Sequence, residues 1–390
     1  MYYNKTVAFL LKAGNETTYE LAKSYNKIGF VYNFLGKYKN TLEFFNKSLN
    51  IFLSLYGEKD ISVALLYNNL GNLFFSEGDY LKAKEYYNKS YEIRLSIFGK
   101  NNPTVSSSLN NLGNIAYTLG DFEDALNYYF ESLKIKMNYF GGNHPDIALR
   151  YNNIGSVYES KEEYDTAVYY YEKALNLYIN IFGENHPDTA MIFNNIGSIY
   201  EIKKEYEKSL EYYERSLKVR LNVFGENHPG ISTLYTSMGN IYVTLKNYNK
   251  TYDYYIKALE INKNIFGENH LNVGMSYHKQ GLVTYYQENF AVSLTHFQNS
   301  LAIYISLYGE THLEVAKKYK NIGYVYLAMQ EYENSINILE KAIHIFGMSK
   351  SHKSDYKEIT EKLYTLYLKI GEEDKAEEYM SRASKFLDED

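Results

Sequence analysis

Five histidines, His144, His186, His228, His270 and His312, recur at intervals of 42 residues. An imidazole can ligate a metal or act as a general base. The spacing suits neither use. Each histidine falls in the same loop of a repeating unit, so neighbours stand one repeat apart. No carboxylate pair or nucleophile recurs beside them at catalytic spacing. They are expected to be turn and helix-start residues. Every recurrent glycine is isolated, which leaves no phosphate-cradling loop. The chain has no cysteine, so thiolate metal sites, thiol catalysis and disulfides are excluded. The sequence therefore reads as a non-enzyme, with no cofactor and no metal.

Asparagine recurs in a different way. Gly29, Gly71, Gly113, Gly155, Gly197, Gly239, Gly281 and Gly323 are each 42 residues from the next and set a register. Two residues before that glycine stand Asn69, Asn111, Asn153, Asn195 and Asn321; three before it stand Asn68, Asn110, Asn152 and Asn194; one after it stand Asn72, Asn114 and Asn240. Asparagine costs up to about 0.7 kcal/mol against alanine inside a helix, and a merely solvated face would more naturally carry Glu or Lys. Its amide offers both a donor and an acceptor, which suits contact with an extended backbone. A hydrogen-bond ladder between repeats is the alternative, and for the set three before the glycine it is the stronger one.

These residues need a scaffold, and the register supplies it. Advancing 100° per residue, the aromatics four before the glycine (Tyr25, Tyr67, Tyr151, Phe193, Tyr235, Tyr277, Tyr319) and three after it (Tyr32, Phe74, Tyr158, Tyr200, Tyr242, Tyr326) share one helical face. The asparagines two before the glycine lie opposite. This is helix A of each unit. A mid-helix glycine costs about 1 kcal/mol, so its repetition predicts that another backbone approaches closely there. Helix B follows a turn such as Glu77-Gly78-Asp79. It carries small residues 12 and 19 after the glycine (Ala83, Ala125 and Ala167; Ser90, Ser132 and Ala174) and a large one 16 after it (Phe45, Tyr87, Tyr129, Tyr171, Tyr213, Tyr255, Phe297). Helix B stops at glycines such as Gly99, Gly183 and Gly225, expected to be left-handed. Pro103, Pro145, Pro187 and Pro229 then open the next helix A at its first position.

An unbroken period overrides the two or three domains that 390 residues would suggest. The expectation is one solenoid over 1–390: a cap or partial repeat at 1–17, eight repeats over 18–350, and a degenerate repeat with a polar capping helix at 351–390. In its loop Gly347-Met348-Ser349-Lys350 replaces Gly-Glu-Asn-His. A formal charge of −6 argues against a nucleic-acid partner and gives no reason to expect an anionic membrane. The N-terminal apolar run Val7–Leu11 is too short for a signal-peptide core or a membrane span, and a cytoplasmic protein is expected.

The aromatic–Leu–Gly–aromatic pattern followed by Tyr, Ala, Tyr and Ala resembles the tetratricopeptide repeat. The period of 42 and the Phe-Gly-Glu-Asn-His-Pro joints resemble the long-helix type found in kinesin light chain and nephrocystin-3. No heptad coiled coil precedes the repeats, so docking to a motor heavy chain is not implied. The resemblance implies an all-α, right-handed superhelical solenoid. It also implies that Asn69, Asn111, Asn153, Asn195 and Asn321, with Asn72, Asn114 and Asn240 beside them, face a concave groove and bind an extended peptide. Lys23 and Lys27 in the first repeat, and Lys279 and Lys317 in the last two, mark the groove's ends. The carboxylate clamp of chaperone-binding relatives is not reproduced: Lys23 and Asn69 fit it, but Lys27 replaces its first asparagine, and Ser107 and Asn111 replace its basic pair. The function expected is a non-catalytic scaffold or adaptor whose protein or peptide partner is a partly apolar linear motif with acidic ends. The alternatives are a regulatory sensor of a small ligand or signalling peptide, and the targeting arm of a larger enzyme.

Overall fold

The computed structural model describes residues 2–14, 17–348 and 352–388. Ser349 and Lys350 of the degenerate loop, and Met1, Asn15 and Glu16 of the expected cap, lie outside the described residues. Among the described residues there are 19 helices and no strand. The chain divides into two compact units, Met1–Lys203 and Lys204–Asp390. The first holds α1 (Tyr2–Lys12), α2 (Tyr19–Phe34), α3 (Tyr38–Tyr56), α4 (Ile61–Glu77), α5 (Tyr80–Phe98), α6 (Pro103–Leu119), α7 (Phe122–Phe140), α8 (Pro145–Ser160), α9 (Tyr164–Phe182) and α10 (Pro187–Ile202). The second holds α11 (Tyr206–Phe224), α12 (Pro229–Thr244), α13 (Tyr248–Phe266), α14 (Leu271–Tyr286), α15 (Phe290–Tyr308), α16 (Leu313–Ala328), α17 (Tyr332–Gly347), α18 (Lys353–Lys369) and α19 (Glu373–Asp388). Even-numbered helices from α2 to α16 are the A helices, and odd-numbered ones from α3 to α17 are the B helices.

Within each unit a helix A packs on the B helix that follows, and a B on the next A. The register glycine explains how closely the two approach. A Cβ on Gly71, Gly113, Gly155, Gly239 or Gly281 would stand 2.5–2.7 Å from the ring 16 residues on: Tyr87, Tyr129, Tyr171, Tyr255 or Phe297. The expected close neighbour is therefore an aromatic side chain, not a backbone. The ring lies over the bare Cα, and Tyr171 is 1% exposed. The small residues bring B close enough for this: Ala83, Ala125 and Ala167 are fully buried. Where serine takes their place it donates to the glycine carbonyl, Ser293 to Gly281 at 2.7 Å and Ser335 to Gly323 at 2.8 Å. The core then runs from one repeat into the next. Ala116 of α6, Tyr129 and Leu133 of α7, and Ile154 and Val157 of α8 form one cluster.

The joints follow from capping chemistry. Asp60 and Asn102 accept from the backbone N–H two residues on, at 2.7 and 2.9 Å, and so cap α4 and α6. The five periodic histidines do the same with an imidazole. Nδ1 of His144, His186, His228, His270 and His312 accepts from the backbone N–H of residues 146, 188, 230, 272 and 314 at 3.1–3.2 Å. Each ring also stacks on the aromatic that ends the preceding B helix, with centroids from 3.7 Å (Phe140–His144) to 4.6 Å (Tyr308–His312). The aromatic, the positive-φ glycine and the histidine thus form one device that turns the chain from B into A.

Two details depart from expectation. Gly99, Gly183 and Gly225 do have positive φ, but ψ is 172°, 174° and −177°. This is the extended region open almost only to glycine, not the left-handed helical one. Conversely, the A-to-B turn needs a left-handed residue seven after the register glycine. Gly36, Gly78 and Gly120 provide it in three repeats, whereas Glu162, Lys204, Lys246, Glu288 and Gln330 adopt it with φ of 55–61° in later ones.

Candidate functional site

The asparagine register builds a ladder. In the first unit, Nδ2 of Asn69, Asn111, Asn153 and Asn195 donates to Oδ1 of Asn26, Asn68, Asn110 and Asn152 respectively, at 2.9–3.0 Å. Each bond links an A helix to the previous A helix across 43 residues. Asn69 is buried, and Asn111, Asn153 and Asn195 are half-buried. The ladder uses the donor of one amide and the acceptor of the other. The complementary atoms of the Asn68–Asn111 rung, Nδ2 of Asn68 and Oδ1 of Asn111, have no protein partner among the described residues. That rung keeps one donor and one acceptor uncommitted, the two group types that the backbone of one extended residue needs as partners.

The asparagines one after the glycine work within the repeat. Oδ1 of Asn72, Asn114 and Asn240 accepts from the hydroxyl of Tyr87, Tyr129 and Tyr255 at 2.6–2.7 Å. Burial pushes the phenols of Tyr87 and Tyr129 well above the ordinary tyrosine range, so they stay neutral donors. In α8 the slot is Ser156, and the Tyr171 hydroxyl reaches past it to donate to Glu159 at 2.6 Å. Burial raises the Glu159 carboxyl above its usual range.

The lysines meet different surroundings. Lys23 and Lys27 are exposed on α2, with Lys23 over the Tyr19 ring at 5.7 Å. Lys279 donates to Asn240 Oδ1 at 3.0 Å. Lys317 pairs with Glu314 at 2.6 Å. In the same unit the ladder changes character: Asn321 Nδ2 meets Nδ1 of His278, at 3.5 Å. Burial first, and then the charges of Lys318 and Lys279, push His278 down to about 3, with Glu314 opposing.

Shallow cavities lie between successive A helices. One, of about 470 Å³, is lined by Ile61, Leu65, Asn68, Thr104, Ser107 and Asn111 with Arg94 at its side. The equivalent cavity in the second unit, of about 200 Å³, includes Ser232, Thr236, Asn272, Met275 and Lys279. Leu65 and Met275 are 43% and 45% exposed, so each cavity offers an apolar residue beside amide or lysine groups. Sequence reasoning missed Arg94. Its slot near the end of helix B holds Phe52, Arg94, Lys136, Tyr178, Arg220, Asn262 and Tyr304 in successive repeats, a column without a repeating type. The available signal was a cation on the apolar face of a helix.

With this geometry in hand, comparison with known proteins places the chain. The tetratricopeptide repeat family matches it in seven overlapping stretches, residues 20–96, 62–138, 104–180, 146–222, 188–250, 230–291 and 275–347. The chain belongs to the tetratricopeptide repeat family. No curated protein matches it. Among solved structures it is similar to the apo form of RapI (TM-score 0.63, 15% identity, covering 94% of this chain and 97% of that one). It is also similar to the apo form of the quorum sensor NprR from B. thuringiensis (TM-score 0.56, 15% identity, 94% and 98%). A third similar structure is BtubC (BKLC) from P. vanneervenii (TM-score 0.51, 18% identity, 60% and 91%). At these identities the likeness is one of fold: tandem helix pairs stacked as a tetratricopeptide solenoid. No helix among the described residues is long and apolar enough to cross a membrane.

Proposed function

We propose that this tetratricopeptide protein is a non-catalytic interaction scaffold of the cytoplasm, holding an extended peptide segment along its A helices. The observation that carries the reading is the half-used amide ladder. A solenoid needing only a strut between repeats could use any hydrogen-bonding pair. A rung such as Asn68–Asn111, which keeps a donor and an acceptor uncommitted, suits a backbone whose N–H and C=O groups need partners once water is displaced. Asn111, Asn153, Asn195 and Asn321, with Asn72, Asn114 and Asn240 beside them, supply the polar contacts, and Leu65, Leu149, Met191 and Met275 supply apolar ones; Asn69, which is buried, serves the ladder. Lys23 and Lys27 in the first unit, and Lys279 and Lys317 in the second, favour acids in the segment bound there. The ladder is neutral, so salt weakens binding only modestly, and the affinity is micromolar.

The test removes the amide donors of two ladder residues and keeps the ladder bonds. Asn26→Asp and Asn110→Asp retain the oxygen that accepts from Asn69 and from Asn153. The carboxylate introduced at position 110 would still accept from Arg150, as Asn110 does at 2.6 Å. Both changes lose the amide N–H groups. Peptides are first selected on the intact chain from a displayed random library. Their affinity for the double variant should fall by about tenfold or more, ~1.4 kcal/mol, on a chain that circular dichroism shows to be still folded. Unchanged affinity on a folded variant would show that the asparagines are struts alone. A co-purified small molecule in native mass spectrometry would instead favour a ligand sensor.

A further inference from the structure

The cavity between α4 and α6 has an unbalanced charge at its side. Arg94, near the end of α5, is 9% exposed. Its Nη1 donates to Ser108 Oγ at 2.9 Å and to the Thr104 carbonyl at 3.4 Å. Its Nε is buried with no partner. Among the described residues no carboxylate lies within ion-pair distance. Arginine stays charged in proteins, and a buried cation without a counter-charge is costly.

The next repeat shows what is missing. Lys136 occupies the slot 42 residues on, and its ammonium is bound by Asp146 at 2.6 Å. The residue 42 before Asp146 is Thr104. The first unit thus builds the same buried cation twice and supplies the acid once. Around Arg94 stand the exposed Leu65, the half-open Asn68–Asn111 rung and Ser107.

We infer that Arg94 is a recognition residue for one acidic side chain of a bound peptide, a Glu or Asp whose carboxylate takes the place that Asp146 holds beside Lys136. The inference rests on the peptide-binding reading and specifies it. The backbone of that residue pairs with the free donor and acceptor of Asn68 and Asn111, an apolar neighbour covers Leu65, and the carboxylate reaches the guanidinium between the helices. A charge-assisted, partly desolvated hydrogen bond of this kind is stronger than the neutral contacts around it.

The experiment uses the whole chain and random twelve-residue peptides displayed on phage, followed by fluorescence polarisation with the labelled winners. Selected peptides should share an acid at one position beside an apolar residue. Replacing that Glu by Gln should weaken binding to the unchanged chain by about tenfold and have little effect on two variants. Arg94→Gln removes the cation. Thr104→Asp keeps Arg94 in place and gives it the internal partner that Lys136 has, so it remains informative if Arg94→Gln folds poorly. Winners without a fixed acid, or a Glu-to-Gln loss that persists in Thr104→Asp, would overturn the role of Arg94 while leaving the ladder reading intact. A chain that selects no peptide at all would overturn both.

Discussion

A single imidazole nitrogen explains the histidine period. Each ring accepts from a helix-start N–H through Nδ1 while stacking on an aromatic. Alanine at His186 removes the cap and should cost about 1 kcal/mol. Asparagine, which caps α6 at Asn102, should cost almost nothing. Thermal melts of the two variants check this, and equal losses would mean that the stacking, not the cap, matters. His278 serves another purpose. It stands in the ladder slot that Asn68, Asn110 and Asn152 fill in the first unit, and it stays neutral in the fold down to about 3 against an ordinary 6.5. Between those values the unfolded chain binds a proton that the folded chain refuses. Its contribution is therefore full above about 6.5 and is lost as pH falls towards 3. His278→Asn should narrow the gap in melting temperature between about pH 7 and pH 5, and should restore an amide acceptor for Asn321. An unchanged gap would show that other groups set the acid response.

At the scale of the helix pair, the A-to-B turn has one conformational demand met by two kinds of residue. Gly36, Gly78 and Gly120 satisfy it without strain, while Glu162, Lys204, Lys246, Glu288 and Gln330 hold φ of 55–61° with a side chain attached. A left-handed non-glycine residue costs roughly 1–2 kcal/mol, partly offset by the extra freedom glycine has when unfolded. Glu162→Gly should therefore stabilise the first unit by about 0.5–1 kcal/mol. Urea unfolding measures it, and a destabilised variant would mean that Glu162 makes a contact worth more than the strain. The pairing of α4 with α5, or α8 with α9, was legible in the sequence, because small and large residues alternate at helical spacing. The identity of the group over the register glycine was not. A bare Cα announces a close approach, but only packing tells a backbone from the ring of Tyr171.

For the whole molecule, the consequence of repetition is locality. Each repeat is held by its neighbours, so a lesion spreads through nearest-neighbour contacts and fades. Gly155→Ala places a methyl 2.7 Å from the buried Tyr171 ring, an overpacking that should cost roughly 1–3 kcal/mol. Hydrogen exchange should quicken in α8 and α9 and in the helices against them, with α14 to α17 little changed. Uniform quickening along the chain would show one cooperative block instead.

What the sequence by itself determined is the fold family and its register, because a 42-residue period of glycine, aromatic and small residues admits few arrangements that bury every copy of the same face. It also marked the asparagine rows, since a costly residue kept at one helical angle demands a reason. Only the tertiary structure decided how those amides are used. Donor and acceptor on one side chain are chemically equivalent options until a neighbour from another repeat takes one of them. The same holds for Arg94. Its charge is written in the chain, but whether a partner acid stands beside it depends on residue 104 arriving from the next helix, where threonine occupies the place that Asp146 fills one repeat later.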